Sequence, residues 1–104
     1  MFEIEETRKM ELHNKVVVIT GGSGGIGQAM ARAFKAHGAA GIVLADLDSE
    51  AVKRAAASIE CDARVCNVTN EAEIIALVDW VIDRYGRIDL FCSNAGAGVQ
   101  CFDR

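Results

Sequence analysis

A run of glycines near the beginning of the chain is the clearest sign of chemistry in this sequence. Residues 20–27 read Thr-Gly-Gly-Ser-Gly-Gly-Ile-Gly and directly follow the apolar run 16–19. The first turn of a helix has unpaired backbone N–H groups and a partial positive charge, which together suit a phosphate. Glycine allows a tight turn that brings a pyrophosphate close to this backbone. The pattern predicts a phosphate-binding turn, and the absence of a following Gly-Lys-Ser/Thr excludes a Walker-type loop.

A second candidate binding residue is an acidic residue about 20 positions after the glycines. Asp46 lies 19 residues beyond Gly27, at the end of the next apolar run. In dinucleotide-binding folds an acid about 20 residues past the glycines accepts hydrogen bonds from the adenosine ribose. A carboxylate repels the 2′-phosphate of NADP, and residues 20–27 include no Lys or Arg to bind one. The sequence therefore predicts NAD as the cofactor; the alternative is an ordinary strand–helix turn with a surface Asp.

Segments with the apolar pattern of a strand alternate along the chain with segments that have the apolar pattern of a helix. The predicted strands and helices would position the residues described above. Short runs rich in β-branched residues predict four strands buried on both faces, at residues 16–19, 42–45, 65–68 and 88–92. Between them lie three helical patterns, of which the first ends at His37-Gly38 and the third at Gly86. The second opens near Asp48, and the third begins at Asn70, with Glu73 in capping-box spacing.

The apolar positions of the three helical patterns are Ile26, Met30, Ala33 and Phe34; then Val52, Ala55, Ala56 and Ile59; then Ile74, Leu77, Val78, Val81, Ile82 and Tyr85. Alternating strands and helices predict an α/β fold, a doubly wound parallel sheet of about four strands with right-handed crossovers and three helices on its two faces. Residues 1–12 are interpreted as a charged N-terminal tail, and residues 13–104 as one dinucleotide-binding domain.

Composition narrows the class of protein. The net charge is −4 and the pI near 5.1, which argues against broad electrostatic binding to nucleic acid or to an anionic membrane surface. No apolar stretch approaches the length of a membrane span, and the acidic first residues do not resemble a secretory signal, so a cytoplasmic protein is expected. The cysteines and histidines show no metal-ligand spacing. The sequence thus predicts no metal site and four reduced thiols, Cys61, Cys66, Cys92 and Cys101.

Several motifs together resemble the short-chain dehydrogenases/reductases. They are Thr20-Gly21-x-x-x-Gly25-x-Gly27, Asp46, Asn67-Val68-Thr69, and Tyr85-Gly-Arg-Ile-Asp-Leu-Phe-Cys-Ser-Asn-Ala-Gly96. The resemblance covers about residues 10–98 and implies a Rossmann-type fold. It implies that Gly21, Gly25 and Gly27 line the cofactor pyrophosphate, with Ser23 and Ile26 beside it. It implies the other cofactor-binding residues as well: Asp46 at the adenosine ribose, followed by Leu47; Asn67 and Val68 at the adenine; and Asn94, Ala95 and Gly96 near the nicotinamide-side ribose.

Two positions depart from the family pattern. The family usually has Asp where Asn67 stands, and we expect the Asn carbonyl to accept from the adenine amine instead. It often has Asn where Ser93 stands, and we make no prediction about the effect of this difference.

The family's catalytic Ser and Tyr-x-x-x-Lys come later in the chain than the Asn-Ala-Gly motif, and no residue here is assigned their roles. The only tyrosine, Tyr85, is followed four residues on by Asp89, and its place on the apolar stripe predicts core packing. The chain thus resembles the NAD-binding N-terminal half of an oxidoreductase that transfers hydride between NAD and an alcohol or carbonyl substrate. Residues 1–104 alone are predicted to be inactive, and the resemblance implies a homo-oligomer for the full-length enzyme. The alternatives are a non-catalytic NAD-binding module or an inactive truncated product.

The C-terminal stretch raises two further expectations. Without a following strand, residues 88–92 would form an unpaired apolar sheet edge. Residues 99–102 either approach a substrate pocket or form a frayed end.

Overall fold

The computed structural model describes residues 12–95 and 98–103. Most of the predicted tail, residues 1–11, and Gly96 lie outside the described residues. The strands are β1 (Val16–Thr20), β2 (Gly41–Asp46), β3 (Asp62–Val65), β4 (Leu90–Ala95) and β5 (Gly98–Asp103). The helices are α1 (Gly25–Ala36), α2 (Ser49–Ile59) and α3 (Glu71–Tyr85). The predicted α/β alternation is confirmed.

One five-stranded sheet with the order β3-β2-β1-β4-β5 organises the molecule. The first four strands in that order are parallel, and only β5 runs antiparallel to its neighbour β4. Side chains of successive strand residues point to opposite faces, so β1 contributes to two separate cores. Val17 and Ile19 pack with α1 and α2 on one face. Val16 and Val18 pack with α3 on the other, as a doubly wound sheet requires.

The burial predicted for the apolar positions of the three helices is confirmed only in part. The four apolar residues assigned to α2 are all buried, since this helix packs flat on the sheet. In α3, Leu77 and Val81 are buried, but Ile82 is 43% exposed. In α1, Ile26 is 60% exposed because it lies in the first turn, beyond the end of the sheet. The buried residues of that helix are Gly27 and Ala31.

Of the helices α1, α2 and α3, the last two begin with a side-chain cap. Asp48 accepts a hydrogen bond from Ala51 N at 3.1 Å, and Asn70 accepts one from Glu73 N at 3.3 Å. The predicted capping box at α3 is only half formed, because the Glu73 carboxylate accepts from Asn67 N at 3.0 Å rather than from Asn70 N. Helix α3 ends at Gly86, which has a left-handed φ of 84°. Among the described residues, no helix is long and apolar enough to cross a membrane.

Two strand predictions need correction. β3 covers Asp62–Val65, so the predicted run 65–68 lies mostly past its carboxyl end. The predicted unpaired edge at β4 is wrong, because the chain folds back and β5 pairs along the whole of β4, from Leu90↔Asp103 to Ala95↔Gly98. Neither a substrate-facing loop nor a frayed end describes residues 99–102, since they lie within β5.

The hairpin also changes the state of two cysteines. The β4–β5 register places Cys101 directly opposite Cys92, and the two form a disulfide. The prediction of four reduced thiols is therefore wrong for this pair. Cys61 and Cys66 are free cysteines, as predicted. The error follows from the missed strand, since only the antiparallel return of the chain brings the two sulfur atoms together.

Candidate functional site

The carboxyl ends of the parallel strands place the predicted site residues along one edge of the sheet. The glycine turn follows β1, Asp46 ends β2, Asn67 follows β3, and Asn94 lies near the end of β4. The strand order β3-β2-β1-β4 puts these groups in the spatial order Asn67, Asp46, glycine turn, Asn94. Open parallel sheets bind their ligands outside this edge, where the crossovers diverge to opposite faces.

Three glycines of the turn are required by close packing. Gly21 has a φ of +68°, and a Cβ there would collide with the carbonyl oxygen of Asn94. A Cβ at Gly27 would lie 2.6 Å from Gly21 O, so glycine lets α1 pack directly on the turn. A Cβ at Gly22 would lie 2.7 Å from Leu44 Cβ in β2. Sequence reasoning left Gly22 out of the site, although it stands in the same glycine run.

Gly25 is different, because a Cβ there would meet no atom within 4 Å. It begins α1, whose N-cap is Gly24 with no side-chain cap and whose first turn has no acidic residue. The first turns of α2 and α3, in contrast, contain Glu50, Glu71 and Glu73. The uncapped N–H groups of α1 and the open space beside Gly25 suit an anion supplied from outside the protein.

Asp46 is held by neutral donors at the end of β2. Its Oδ2 accepts from Ser23 N at 3.0 Å and from the Ser23 hydroxyl, and its Oδ1 accepts from Leu47 N at 2.8 Å. Burial raises the pKa of Asp46, but the hydrogen bonds from Ser23, Leu47 and Asp48 outweigh it, so the pKa lies below its ordinary value. Among the described residues, no Lys or Arg forms a salt bridge with it. Asp46 is therefore ionised at neutral pH, without a cationic partner in the part of the chain that the structure describes.

Ser23 is in turn fixed by a residue that sequence reasoning missed. Gln28 Nε2 donates to Ser23 O at 2.8 Å, which ties the glycine turn to the first turn and a half of α1. In the sequence, only the position of Gln28 one helical turn after the glycines could have indicated this contact, and that signal is weak.

The segment after β3 forms a tight polar turn. Asn67 Oδ1 accepts from Thr69 N at 3.0 Å and from Thr69 Oγ1 at 2.7 Å. The expectation that this carbonyl is available to an adenine amine needs correction, because two donors already occupy it. Val68 beside it is 39% exposed, and Leu47 across the edge is 66% exposed. These two apolar side chains lie on the solvent side of the edge, where they offer contact surface to a flat ring.

The end of β4 is tied to the glycine turn. Asn94 Nδ2 donates to Gly21 O at 3.4 Å, and Asn94 N donates to Thr20 Oγ1 at 3.4 Å. Thr20 is fully buried, and its hydroxyl also donates to Cys92 O at 3.5 Å. Ser93 pairs with Thr20 in the parallel ladder. Ala95 ends the strand, and Gly96 falls outside the described residues.

Tyr85 does not reach this site. It lies at the end of α3, packs on the core below β1 and β2, and donates to Asp62 at the amino edge of the sheet. The prediction of core packing for Tyr85 is confirmed.

Comparison with known proteins agrees with this geometry. The family model described as short chain dehydrogenase matches residues 15–103. The chain is 42% identical over 93 residues to (+)-cis,trans-nepetalactol synthase NEPS1 of Nepeta racemosa, covering 88% of this chain and 34% of that protein. It thus spans about a third of the length of this relative.

Two solved structures are similar. A short chain dehydrogenase from Mycobacterium smegmatis superposes with a TM-score of 0.78 at 31% identity, covering 84% of this chain and 39% of that one. A short chain dehydrogenase/reductase from Burkholderia phymatum in complex with NAD has a TM-score of 0.74 at 32% identity, covering 78% of this chain and 30% of that one.

Proposed function

Because the chain belongs to the short-chain dehydrogenase family, we propose that it supplies the NAD-binding part of an oxidoreductase. The reaction is hydride transfer between NAD and an alcohol or carbonyl substrate. When bound, the nicotinamide ring carries the hydride, and the protein contributes binding, orientation and electrostatics. The observation that supports this proposal most directly is the arrangement of Asp46, whose carboxylate has only neutral hydrogen-bond donors among the described residues and lies near a helix N-terminus without a side-chain cap.

The residues along the carboxyl edge fit a dinucleotide in chemical type and in order. The first-turn N–H groups of α1 and the space at Gly25 suit the pyrophosphate. Asp46 Oδ1 has remaining acceptor capacity for a ribose hydroxyl. Leu47 and Val68 suit an adenine ring, and Asn94 suits the nicotinamide-side ribose.

Preference for NAD over NADP follows from charge. A 2′-phosphate would approach the ionised Asp46, and like charges at contact distance repel strongly where water is partly excluded. The glycine turn offers no Lys or Arg to compensate. Lys53 and Arg54 are exposed residues of α2, on the face away from the sheet.

The remaining features of the proposal come from the sequence. We propose a cytoplasmic location and a homo-oligomeric full-length enzyme, with a small-molecule alcohol or carbonyl as substrate. Residues 1–104 by themselves are expected to catalyse no hydride transfer, since their only tyrosine is not followed by Lys at the fourth position and lies at the opposite edge of the sheet.

The test is thermal unfolding of the purified chain with and without NAD or NADP. A ligand of the native state raises the melting temperature by mass action, so NAD should raise it and NADP should not. Asp46→Ala should weaken NAD binding about tenfold or more, because a charged hydrogen bond contributes about 1.5–3 kcal/mol, and should narrow the gap to NADP.

Asp48→Ala is the matched control. It removes the same charge two residues away and costs a helix cap, worth about 1 kcal/mol of stability, so it should lower the melting temperature while leaving the NAD-to-NADP ratio unchanged. Tighter binding of NADP than of NAD by the parent protein would refute the role given to Asp46.

A further inference from the structure

The disulfide of the β4–β5 hairpin joins a buried residue to an exposed one. Cys92 lies in the middle of β4 and is fully buried in the core that contains Val17 and Ile19. Cys101 lies directly opposite it in β5 and is exposed. Thiol–disulfide exchange requires an attacking thiolate to reach one of the two sulfur atoms. A reagent in solution therefore reaches this disulfide from the side of Cys101, and Cys92 is the leaving group.

The strand that carries Cys101 is attached to the molecule along β4. β5 is the outermost strand of the described sheet, and β4 is its neighbour there. Its residues Gln100, Cys101 and Phe102 are all exposed, and even the phenyl ring of Phe102 is 56% exposed. An edge strand that buries so little surface opens locally at a low free-energy cost. A covalent cross-link in the middle of the strand therefore determines how often β5 leaves β4.

β4 connects this hairpin to the candidate cofactor site. The backbone oxygen of Cys92 accepts a hydrogen bond from the Thr20 hydroxyl at 3.5 Å. Two residues further on, Asn94 donates through its backbone N to Thr20 Oγ1 and through Nδ2 to Gly21 O, both at 3.4 Å. The disulfide thus fixes the strand whose end contacts the glycine turn.

We propose, on the basis of the NAD-binding function proposed above, that the Cys92–Cys101 disulfide is a site of reversible exchange with a dithiol reductant and that its state controls NAD affinity through β4. A thiolate of the reductant attacks Cys101 Sγ, the protein S–S bond breaks, and Cys92 leaves as a thiolate that takes up a proton. The second thiol of the reductant attacks the mixed disulfide, which releases Cys101 as a thiol and the reductant as a disulfide. The protein gains two electrons and two protons, and exchange with an oxidised disulfide reverses the step.

The cytoplasmic location proposed above favours a reversible role for this bond. Disulfides are rare in the reducing cytosol, and those that form there are usually transient and catalytic or redox-sensing. In the reduced protein β5 opens from β4, and β4 becomes an edge strand. The contact between Asn94 and Gly21 then lies on a strand that is held from one side only, so NAD binds more weakly.

The experiment compares the oxidised protein with protein that has been reduced by dithiothreitol and then freed of excess reagent under nitrogen. Amide hydrogen exchange, read by mass spectrometry, reports the opening of β5 without any need for NAD. The cross-link joins residues 9 positions apart, and the entropy of closing such a loop corresponds to about a hundredfold in an opening equilibrium. Exchange in β5 should therefore rise by up to about a hundredfold on reduction, whereas exchange in β1 and β2 should not change.

Isothermal titration calorimetry of the same two samples measures the effect on the cofactor site. The NAD dissociation constant is expected to be about fivefold higher in the reduced protein, at the lower end of the usual range of coupling between two sites. Cys101→Ser abolishes the cross-link, so this variant should show the β5 exchange and the NAD affinity of the reduced protein under both conditions. Cys61→Ser is the matched control, because it removes a free thiol outside the hairpin and should respond to dithiothreitol as the parent protein does.

Equal exchange of β5 in the oxidised and reduced parent protein would overturn the proposal. Faster exchange of β5 with an unchanged NAD dissociation constant would overturn the link between the hairpin and the cofactor site, while the NAD-binding function stands. Absence of NAD binding by the folded, oxidised protein would overturn that function and the link together, and the exchange measurement would still decide whether reduction releases β5.

Discussion

The two edges of the sheet both carry carboxylates, but they use them differently. At the amino edge, Asp62 accepts from Arg84 Nε at 2.8 Å and from the Tyr85 hydroxyl. Asp89 accepts from Arg87 Nε at 2.7 Å and from Val16 N at 2.9 Å. At the carboxyl edge, Asp46 has only neutral donors within the described ranges 12–95 and 98–103, and the helix start near it has no side-chain cap.

This difference shows why a cavity alone does not mark the binding site. A cavity of about 300 Å³ opens at the amino edge, lined by residues that include Lys35, Cys61 and Arg84. Its polar groups are paired within the protein: Lys35 Nζ donates to Ile59 O and Glu60 O, at 2.6 and 2.8 Å. Burial raises the pKa of the Cys61 thiol to about 11, so it is protonated and unreactive at neutral pH. The carboxyl edge differs, because the first-turn N–H groups of α1 have no side-chain cap and the Asp46 carboxylate has only neutral donors among the described residues.

The largest effect is expected from separating the packing role of the glycines from their binding role. Gly21→Ala forces a side chain into a left-handed conformation and onto Asn94 O, and should destabilise the fold by about 3 kcal/mol. Gly25→Ala meets no protein atom within 4 Å, so stability should stay the same or rise slightly. Its methyl group would still enter the space assigned to the pyrophosphate and should weaken NAD binding about tenfold.

Urea unfolding and calorimetric titration of both variants decide the matter. Gly25→Ala is the informative member of the pair, because a packing role predicts lost stability and a binding role predicts lost affinity. Unchanged NAD affinity in stable Gly25→Ala would place the phosphates elsewhere.

A smaller effect is expected at the amino edge. Tyr85→Phe removes the hydrogen bond to Asp62, which Arg84 still contacts, and should cost about 1 kcal/mol of unfolding free energy. The NAD dissociation constant should not change, because this edge holds no group assigned to the cofactor. A change of NAD affinity beyond about twofold, measured by the same titration, would show that the two edges are coupled.

The sequence predicted the elements that bury regular stripes and failed where burial was partial. α2 buries all of its predicted residues, and β1 and β2 were found within about one residue of their ends. β3 was misplaced because it is an edge strand with the largely polar sequence Asp-Ala-Arg-Val. The apolar residues of the predicted run, Val65 at the end of β3 and Val68 beyond it, are exposed at the site edge. β5 was missed because its pairing with β4 depends on contacts across the hairpin. Its own sequence has no hydrophobic periodicity that would have indicated a strand.

The site residues were predictable in identity but not in their internal contacts. Spacing and type alone indicated Asp46 and the glycines. That Ser23 would occupy Asp46 Oδ2, or that Thr69 would occupy the Asn67 carbonyl, depends on rotamers that the surrounding turns fix. The expectation about Asn67 failed for this reason.

The smallest expected effect is a shift in the pH dependence of NAD binding. Hydrogen bonds from Ser23 lower the pKa of Asp46 against the opposing effect of burial. A carboxyl group with a lowered folded pKa contributes stability above its unfolded pKa, and this contribution is lost as the pH falls through the folded value. Affinity for NAD should decline in the same acidic range, because a protonated carboxyl group has lost its charge and accepts more weakly from a ribose hydroxyl.

Ser23→Ala removes one of the lowering hydrogen bonds, so the acid limb of the NAD-binding curve should move to higher pH, while affinity at neutral pH changes little. Ser23→Thr keeps the hydroxyl and should restore the parent curve, which a merely structural role for the side chain would not require. Titrations from neutral pH down to the lowest pH at which circular dichroism remains native provide the measurement. If the acid limb stays in place in Ser23→Ala, the backbone N–H groups of Ser23 and Leu47 alone keep Asp46 ionised. The contrast between the two edges would then depend on two features: the described residues place no cation on Asp46, and the helix near it has no side-chain cap.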